Sequence, residues 1–374
     1  MINFPPLKIG HLEINLIQGG MGVGISGVNL ASAVAEEGGA GIIASVGLGL
    51  LKGYFDAEFE SSIKRGDFNG LNGKGKRDLQ NEIYVRTNSD ALADEIRKAR
   101  RKTNGVIGVN IMHALTDYQS LVKTAIQEHV DLIICGAGIA RDLPNYLDGK
   151  STLLVPIVSS TRVAELICRA WGKLGHLPDA IIVEGPKAGG HLGYSKEQLE
   201  DPNFVSSGLE KILLEVIQAV ESKIPIIGAG GIYTGADIYN LSRLGASGVQ
   251  MATRFVTTNE CDVNGVFKQV YIDCEAEDII IIDSPVGMPG RAIKNKFLET
   301  VTNERVRFKC NYDCLKSCTP FSSPYCIADA LINAQKGNME RGFAFAGTNA
   351  YLATEIVSVK DVFNALEREY NQAC

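Results

Sequence analysis

The sequence predicts an α/β protein built on a (β/α)8 TIM barrel, with a long insertion after the second strand and a C-terminal extension. Three observations carry that reading. Eight short, nearly unbroken apolar runs recur at residues 16–19, 41–44, 105–109, 131–134, 153–158, 180–183, 224–228 and 248–251. Amphipathic stretches at 29–37, 89–100, 118–128, 161–171, 209–222 and 235–244 fall between them. Glycines and small polar residues gather directly after the runs, where a barrel places its binding loops.

Each element follows in order. Continuous apolar strands belong in a parallel sheet covered on its outer face, and eight of them close a barrel; an open doubly wound sheet is the alternative. The first strand runs into Gln18-Gly19-Gly20-Met21. After the second, residues 48–86 are rich in Gly, Lys and Asp with little periodicity, which predicts a long surface loop placed to act as a lid. The third strand leads to Asn110, with His113 close behind and expected to line the substrate space. The sixth delivers Glu184 and then a loop as far as His191. The seventh and eighth end in Gly228-Ala229-Gly230-Gly231 and Gln250-Met251-Ala252-Thr253. Residues 1–256 are therefore expected to form the barrel, and 257–374 an extension packed on it.

A chain of 374 residues, 45% hydrophobic and 21% charged, can bury a large core. Its net charge of −6 leaves no excess of Lys and Arg to neutralise phosphates, which argues against a nucleic-acid or anionic-membrane surface and for a small-molecule substrate. The start, Met1 to Lys8, lacks the order of a signal peptide, and no apolar run is long enough to cross a bilayer. A cytoplasmic protein is expected. Nine cysteines, an odd number, read as thiols or ligands rather than a disulfide framework.

The strand ends hold the chemistry. Gly189 and Gly190 are too small to build a core and suit close approach to a ligand, and His191 follows with an imidazole that titrates near neutral pH. His191 is the candidate catalytic residue, against the alternative of a structural imidazole bonded to backbone carbonyls. Gly230, Gly231 and Met251 to Thr253 would offer backbone N–H groups to a phosphate, two adjacent strand ends making more than simple tight turns. Gly20-Met21-Gly22-Val23-Gly24 lacks the glycine spacing of a dinucleotide fold, so a mononucleotide is favoured over NAD.

Taken together, Gln18 to Met21, Gly108-Val109-Asn110-Ile111-Met112, Glu184 to His191, Gly228 to Ile232 and Gly248 to Phe255 resemble the nitronate monooxygenase family, formerly called 2-nitropropane dioxygenase. That family is similar to the flavin-dependent enoyl-ACP reductases, and Ser284 to Arg291 also looks like a family segment. The resemblance implies a flavoprotein with FMN as cofactor. Carried over by motif, Gln18, Gly19, Gly20, Met21 and Asn110 would sit near the flavin ring, Glu184 near the cofactor, and Gly189 and Gly190 against its edge. Gly230, Gly231, Gln250, Met251, Ala252 and Thr253 would hold the phosphate, and His191 takes the position of the active-site histidine.

The expected reaction is oxidation of alkyl nitronates with dioxygen. FMN would accept an electron, and His191 would act as a base on a nitroalkane or donate a hydrogen bond to it. NAD(P)H-dependent reduction of an enoyl thioester on the same scaffold is the alternative, and a non-catalytic phosphate-ligand binder or electron carrier is a further one. A homodimer is also expected. In the extension, Cys310, Cys314, Cys318 and Cys326 are candidate ligands for an iron–sulfur cluster or zinc, against free buried thiols.

Overall fold

The structure, a computed structural model, describes residues 5–374 apart from 148, 150, 221–223 and 311. The first four residues of the chain, and the end of the helix expected at 209–222, lie outside the described residues. The strands are β1 (Leu7–Ile9), β2 (Leu12–Ile14), β3 (Ile17–Gln18), β4 (Ala40–Ala44), β5 (Val106–Met112), β6 (Leu132–Gly136), β7 (Leu153–Val158), β8 (Ile181–Glu184), β9 (Gly190–His191), β10 (Ile226–Ala229), β11 (Gly248–Met251), β12 (Ile279–Asp283) and β13 (Pro289–Ile293). Strands β3 to β8, β10 and β11 pair in parallel and close a barrel, the eight expected from the sequence.

The apolar runs explain the barrel because alternate residues serve two cores. Ile17, Ile42, Leu132, Ile134, Val155, Ile182 and Ile227 fill the interior, where Leu7, Ile9 and Ile14 of the β1–β2 hairpin join them and plug one end. Their neighbours Leu16, Ile43, Ile133, Leu154, Ile181, Val183 and Ile226 point outward to the helices. A strand used on both faces has few polar positions to spare, and those it has, Gln18, Asn110, Glu184 and Gln250, lie toward the C-terminal ends that form the mouth.

The insertion departs from expectation. Residues 48–86 are not a loop: they form helices Leu48–Leu51 and Tyr54–Arg65, then enter a helix, Gly73–Lys102, that continues through the expected 89–100 stretch. Their apolar face is sparse because its partner is remote. Leu50, Phe55, Ile83 and Tyr84 form a small separate core completed by Tyr312 from the extension, whose ring meets Phe55 edge-on at 5.1 Å.

The C-terminal helix, Val359–Ala373, packs between helices Gly235–Arg243 and Val28–Glu36, filling the outer position that follows β11. Glu369 anchors it, pairing with Arg254 at 3.1 Å and accepting the Gly235 N–H at 2.7 Å. Among the described residues no helix is long and apolar enough to cross a membrane.

Candidate active site

The C-terminal ends of the barrel strands open into a cavity of about 1680 Å³ counting its mouth. The sequence-predicted residues Gly19, Gly20, Met21, Asn110 and Glu184 line it, as do Gly189, Gly190 and His191, Gly230 and Gly231, and Gln250 to Thr253. Gln18 does not. Its buried amide is spent inside the barrel, accepting the Ile42 N–H at 3.0 Å and donating to the Gly19 carbonyl.

Two features fit a bound planar, polar group. A Cβ on Gly20 would lie 2.3 Å from Asn110 Cβ, so only glycine leaves the cradle between β3 and β5 open. Gln250 Oε1 is buried and has no hydrogen-bond partner among the described residues, an acceptor that a ligand donor could meet. On the far side, Gly230 and Gly231 both take positive φ (+92° and +81°), a conformation that turns successive N–H groups outward. These donors, with Thr253 beside them, suit a phosphate.

His191 lies on β9, which pairs antiparallel with β13 and lifts the imidazole over the barrel mouth. Its Nε2 is 2.8 Å from Ser284 Oγ, and Phe345 meets the ring edge-on at 4.9 Å. Protein encloses the ring except where it borders the cavity, and this burial pulls its pKa down to about 4. His191 is therefore neutral at working pH. Burial pushes the Glu184 carboxyl the other way, up to about 7. Buried Arg291 donates to the carbonyls of Pro186 and Ala188 (2.7 Å to the latter), clamping the loop that carries His191. Burial lowers its pKa to about 10.

Sequence reasoning missed the roof. The segment Phe345-Ala346-Gly347 folds back from the extension, its Gly347 N–H donating to Thr253 Oγ1 at 3.1 Å while Asn349 donates to the Gly231 carbonyl at 2.7 Å. Leu50 and Tyr84 of the insertion, with Leu315, Ile327 and Leu331 of the extension, build an apolar arm of the cavity. Only Ser284 to Arg291 carried a signal for any of this. His113 is not at the cavity; its ring packs on Tyr118 at 4.8 Å.

The cysteine segment is tied to the barrel mouth by a Leu115–Leu315 bridge and to the insertion by Asn81 of helix Gly73–Lys102, whose side chain donates to Tyr312 O at 2.9 Å. Cys310, Cys314, Cys318 and Cys326 border one small pocket beside the apolar arm. The expected zinc or iron–sulfur site is not formed: among the described residues no group of three or more His, Cys, Asp or Glu side chains is placed to hold a metal ion. Burial keeps Cys314 and Cys326 as thiols, the latter with a pKa of about 11, while Cys310 accepts the Asp313 N–H and Cys318 bonds Ser323.

The family model for nitronate monooxygenase matches residues 6–369. The chain belongs to the nitronate monooxygenase family. Its members are flavin-dependent oxidoreductases. Among its relatives is the (3aS,4S,5R,7aS)-5-hydroxy-7a-methyl-1-oxo-octahydro-1H-indene-4-carboxyl-CoA dehydrogenase of Mycobacterium tuberculosis, 27% identical over 296 residues, covering 79% of this chain and 67% of that one. A probable nitronate monooxygenase of Staphylococcus haemolyticus is 25% identical over 305 residues, covering 78% of each. The solved structure of FabK from Thermotoga maritima superposes with a TM-score of 0.71 at 26% identity, covering 96% of this chain and 94% of that one.

Proposed function

We propose that this member of the nitronate monooxygenase family is an FMN-dependent oxidoreductase acting on the acyl chain of a thioester, at the Cα–Cβ bond. The apolar arm carries this reading. Leu50, Tyr84, Leu315, Ile327 and Leu331 offer a hydrocarbon surface that a small nitronate would leave bare. Beyond the glycine turns suited to a phosphate, no cation awaits a nitronate: no Lys or Arg is among the described residues lining the cavity, and its one imidazole is neutral. The dehydrogenase relative, named for a carboxyl-CoA substrate, points the same way.

Gly230, Gly231 and Thr253 would hold the FMN phosphate, while Gly20, Met21 and Asn110 would lie along the ring and Gln250 Oε1 would accept a hydrogen bond from it. When bound, FMN supplies hydride transfer to or from the substrate carbon. The chain's own part is to seat the acyl group in the arm, exclude water beneath Phe345, and present His191 to the polar end of the substrate.

Oxidation of alkyl nitronates with dioxygen is the second reading, favoured by the match to the nitronate monooxygenase family model over residues 6–369. The two separate in one anaerobic experiment on the purified flavoprotein. Enoyl thioesters should drive NAD(P)H oxidation, or saturated acyl thioesters should bleach the flavin, more efficiently as the chain lengthens. Bleaching by ethyl- or propyl-nitronate with no response to any thioester would overturn the thioester assignment.

A further inference from the structure

Two hydrogen bonds meet at one hydroxyl. Ser284 Oγ lies 2.8 Å from His191 Nε2, and the Val286 N–H points to the same oxygen from 3.3 Å. Ser284 is buried, and among the described residues His191 Nε2 is the one acceptor within reach of its proton. Were His191 to donate from Nε2, the oxygen would receive two donors and its own proton would be stranded. With Ser284 donating, its proton, its oxygen and Nε2 all have partners, and only Nδ1–H is left for a ligand.

We infer that Ser284 is a positioning residue that fixes His191 as the Nδ1–H tautomer, so that the ring presents a hydrogen-bond donor, and not a lone pair, to the cavity. The remaining geometry agrees. Phe345 packs against the ring, and among the described residues the ring's hydrogen bond is made by Nε2 and none by Nδ1. Burial keeps the imidazole neutral, which gives the choice of tautomer its meaning, since an imidazolium would donate from both nitrogens. The tautomer turns His191 from a base into a donor. Its natural acceptor is an oxygen of the substrate next to the reacting carbon; naming that oxygen as a thioester carbonyl rests on the function proposed above, but the tautomer does not.

Long-range proton–nitrogen correlation spectra of the 15N-histidine-labelled flavoprotein at neutral pH, without substrate, read the tautomer directly. The chain has five histidines, and the His191 signals are those lost in His191→Gln. The expected pattern is a protonated Nδ1 and an unprotonated Nε2. Ser284→Ala should shift the ring toward Nε2–H, and Ser284→Thr, which keeps the hydroxyl, should restore the native pattern. An Nε2–H ring in the native protein, or a pattern unmoved by Ser284→Ala, overturns the inference. The native spectrum decides even if Ser284→Ala does not fold, and no thioester or nitronate enters the measurement.

Discussion

The Phe345 ring stands edge-on to the His191 imidazole, centroids 4.9 Å apart and planes at 63°. The two residues are far apart in sequence and meet because Ala346 N–H donates to the Arg291 carbonyl at 3.1 Å, laying the segment along β13 beside β9. An aromatic pair of this kind contributes about 0.5–1.5 kcal/mol beyond burial. Phe345→Leu should retain FMN and lower turnover by up to about tenfold, as steady-state rates and the flavin spectrum would show. Unchanged turnover would mean that the pair does not orient the imidazole.

Gly189→Ala should loosen the roof. The added Cβ would lie 2.4 Å from Ala346 C and 2.5 Å from Gly347 N, both backbone atoms that cannot swing aside. Overpacking of this sort costs about 1–3 kcal/mol, and the displaced segment also carries the Gly347–Thr253 contact. Lower urea midpoints together with flavin lost on gel filtration are the expected result; a variant as stable and as yellow as the parent would refute it.

Glu184 and His191 bias stability in opposite directions with pH. The folded imidazole has its pKa depressed to about 4 from 6.5, so the unfolded chain binds the extra proton in that window and stability falls as pH falls. The folded carboxyl has its pKa raised to about 7 from 4.5, so there the folded chain holds the extra proton and stability falls as pH rises. Each slope is at most about 1.4 kcal/mol per pH unit. Urea midpoints across this range should therefore rise more steeply with pH in Glu184→Gln than in the parent, and fall more steeply in His191→Gln. Parallel curves for all three proteins would contradict the assigned burial.

Leu331→Trp should shorten the accepted substrate. Leu331 sits on helix Ile327–Gln335 and lines the apolar arm, so a larger ring there fills space that an acyl tail would use. We expect kcat/KM for a long-chain enoyl thioester to drop at least about tenfold relative to crotonyl thioester, a loss of roughly 1.4 kcal/mol or about two methylenes of burial. Equal losses on both substrates would place the tail elsewhere.

Much of this was legible from the residues. Runs such as those around Ile42, Ile133 and Ile182 are apolar on both faces, and that alone implies a covered parallel sheet whose ends form a mouth. Gly20, Gly230 and Gly231 stand directly after such runs and His191 at the end of a glycine-rich loop, and the structure brings them to one cavity. Gln18 was misplaced because a strand-end amide reads the same whether it faces a ligand or the Ile42 N–H. The insertion looks like loop in the sequence because Phe55 and Tyr84 find their partner in Tyr312, and a sparse apolar stripe signals no helix until that partner is in place.

Local pattern by itself thus determined the barrel, the order of its strands and the glycine-lined mouth, because strand burial and tight βα turns depend on neighbours in the chain. Tertiary structure decided the rest. Helix Val28–Glu36 begins at Gly27, whose lack of a side chain leaves the cap to Asp262, accepting N–H groups of Gly27, Asn29 and Leu30 at 2.9–3.0 Å. The roof over His191, its Ser284 partner and the apolar arm are likewise contacts between remote segments. Their free energy exists only once the chain has closed, which is why no periodicity in the sequence announces them.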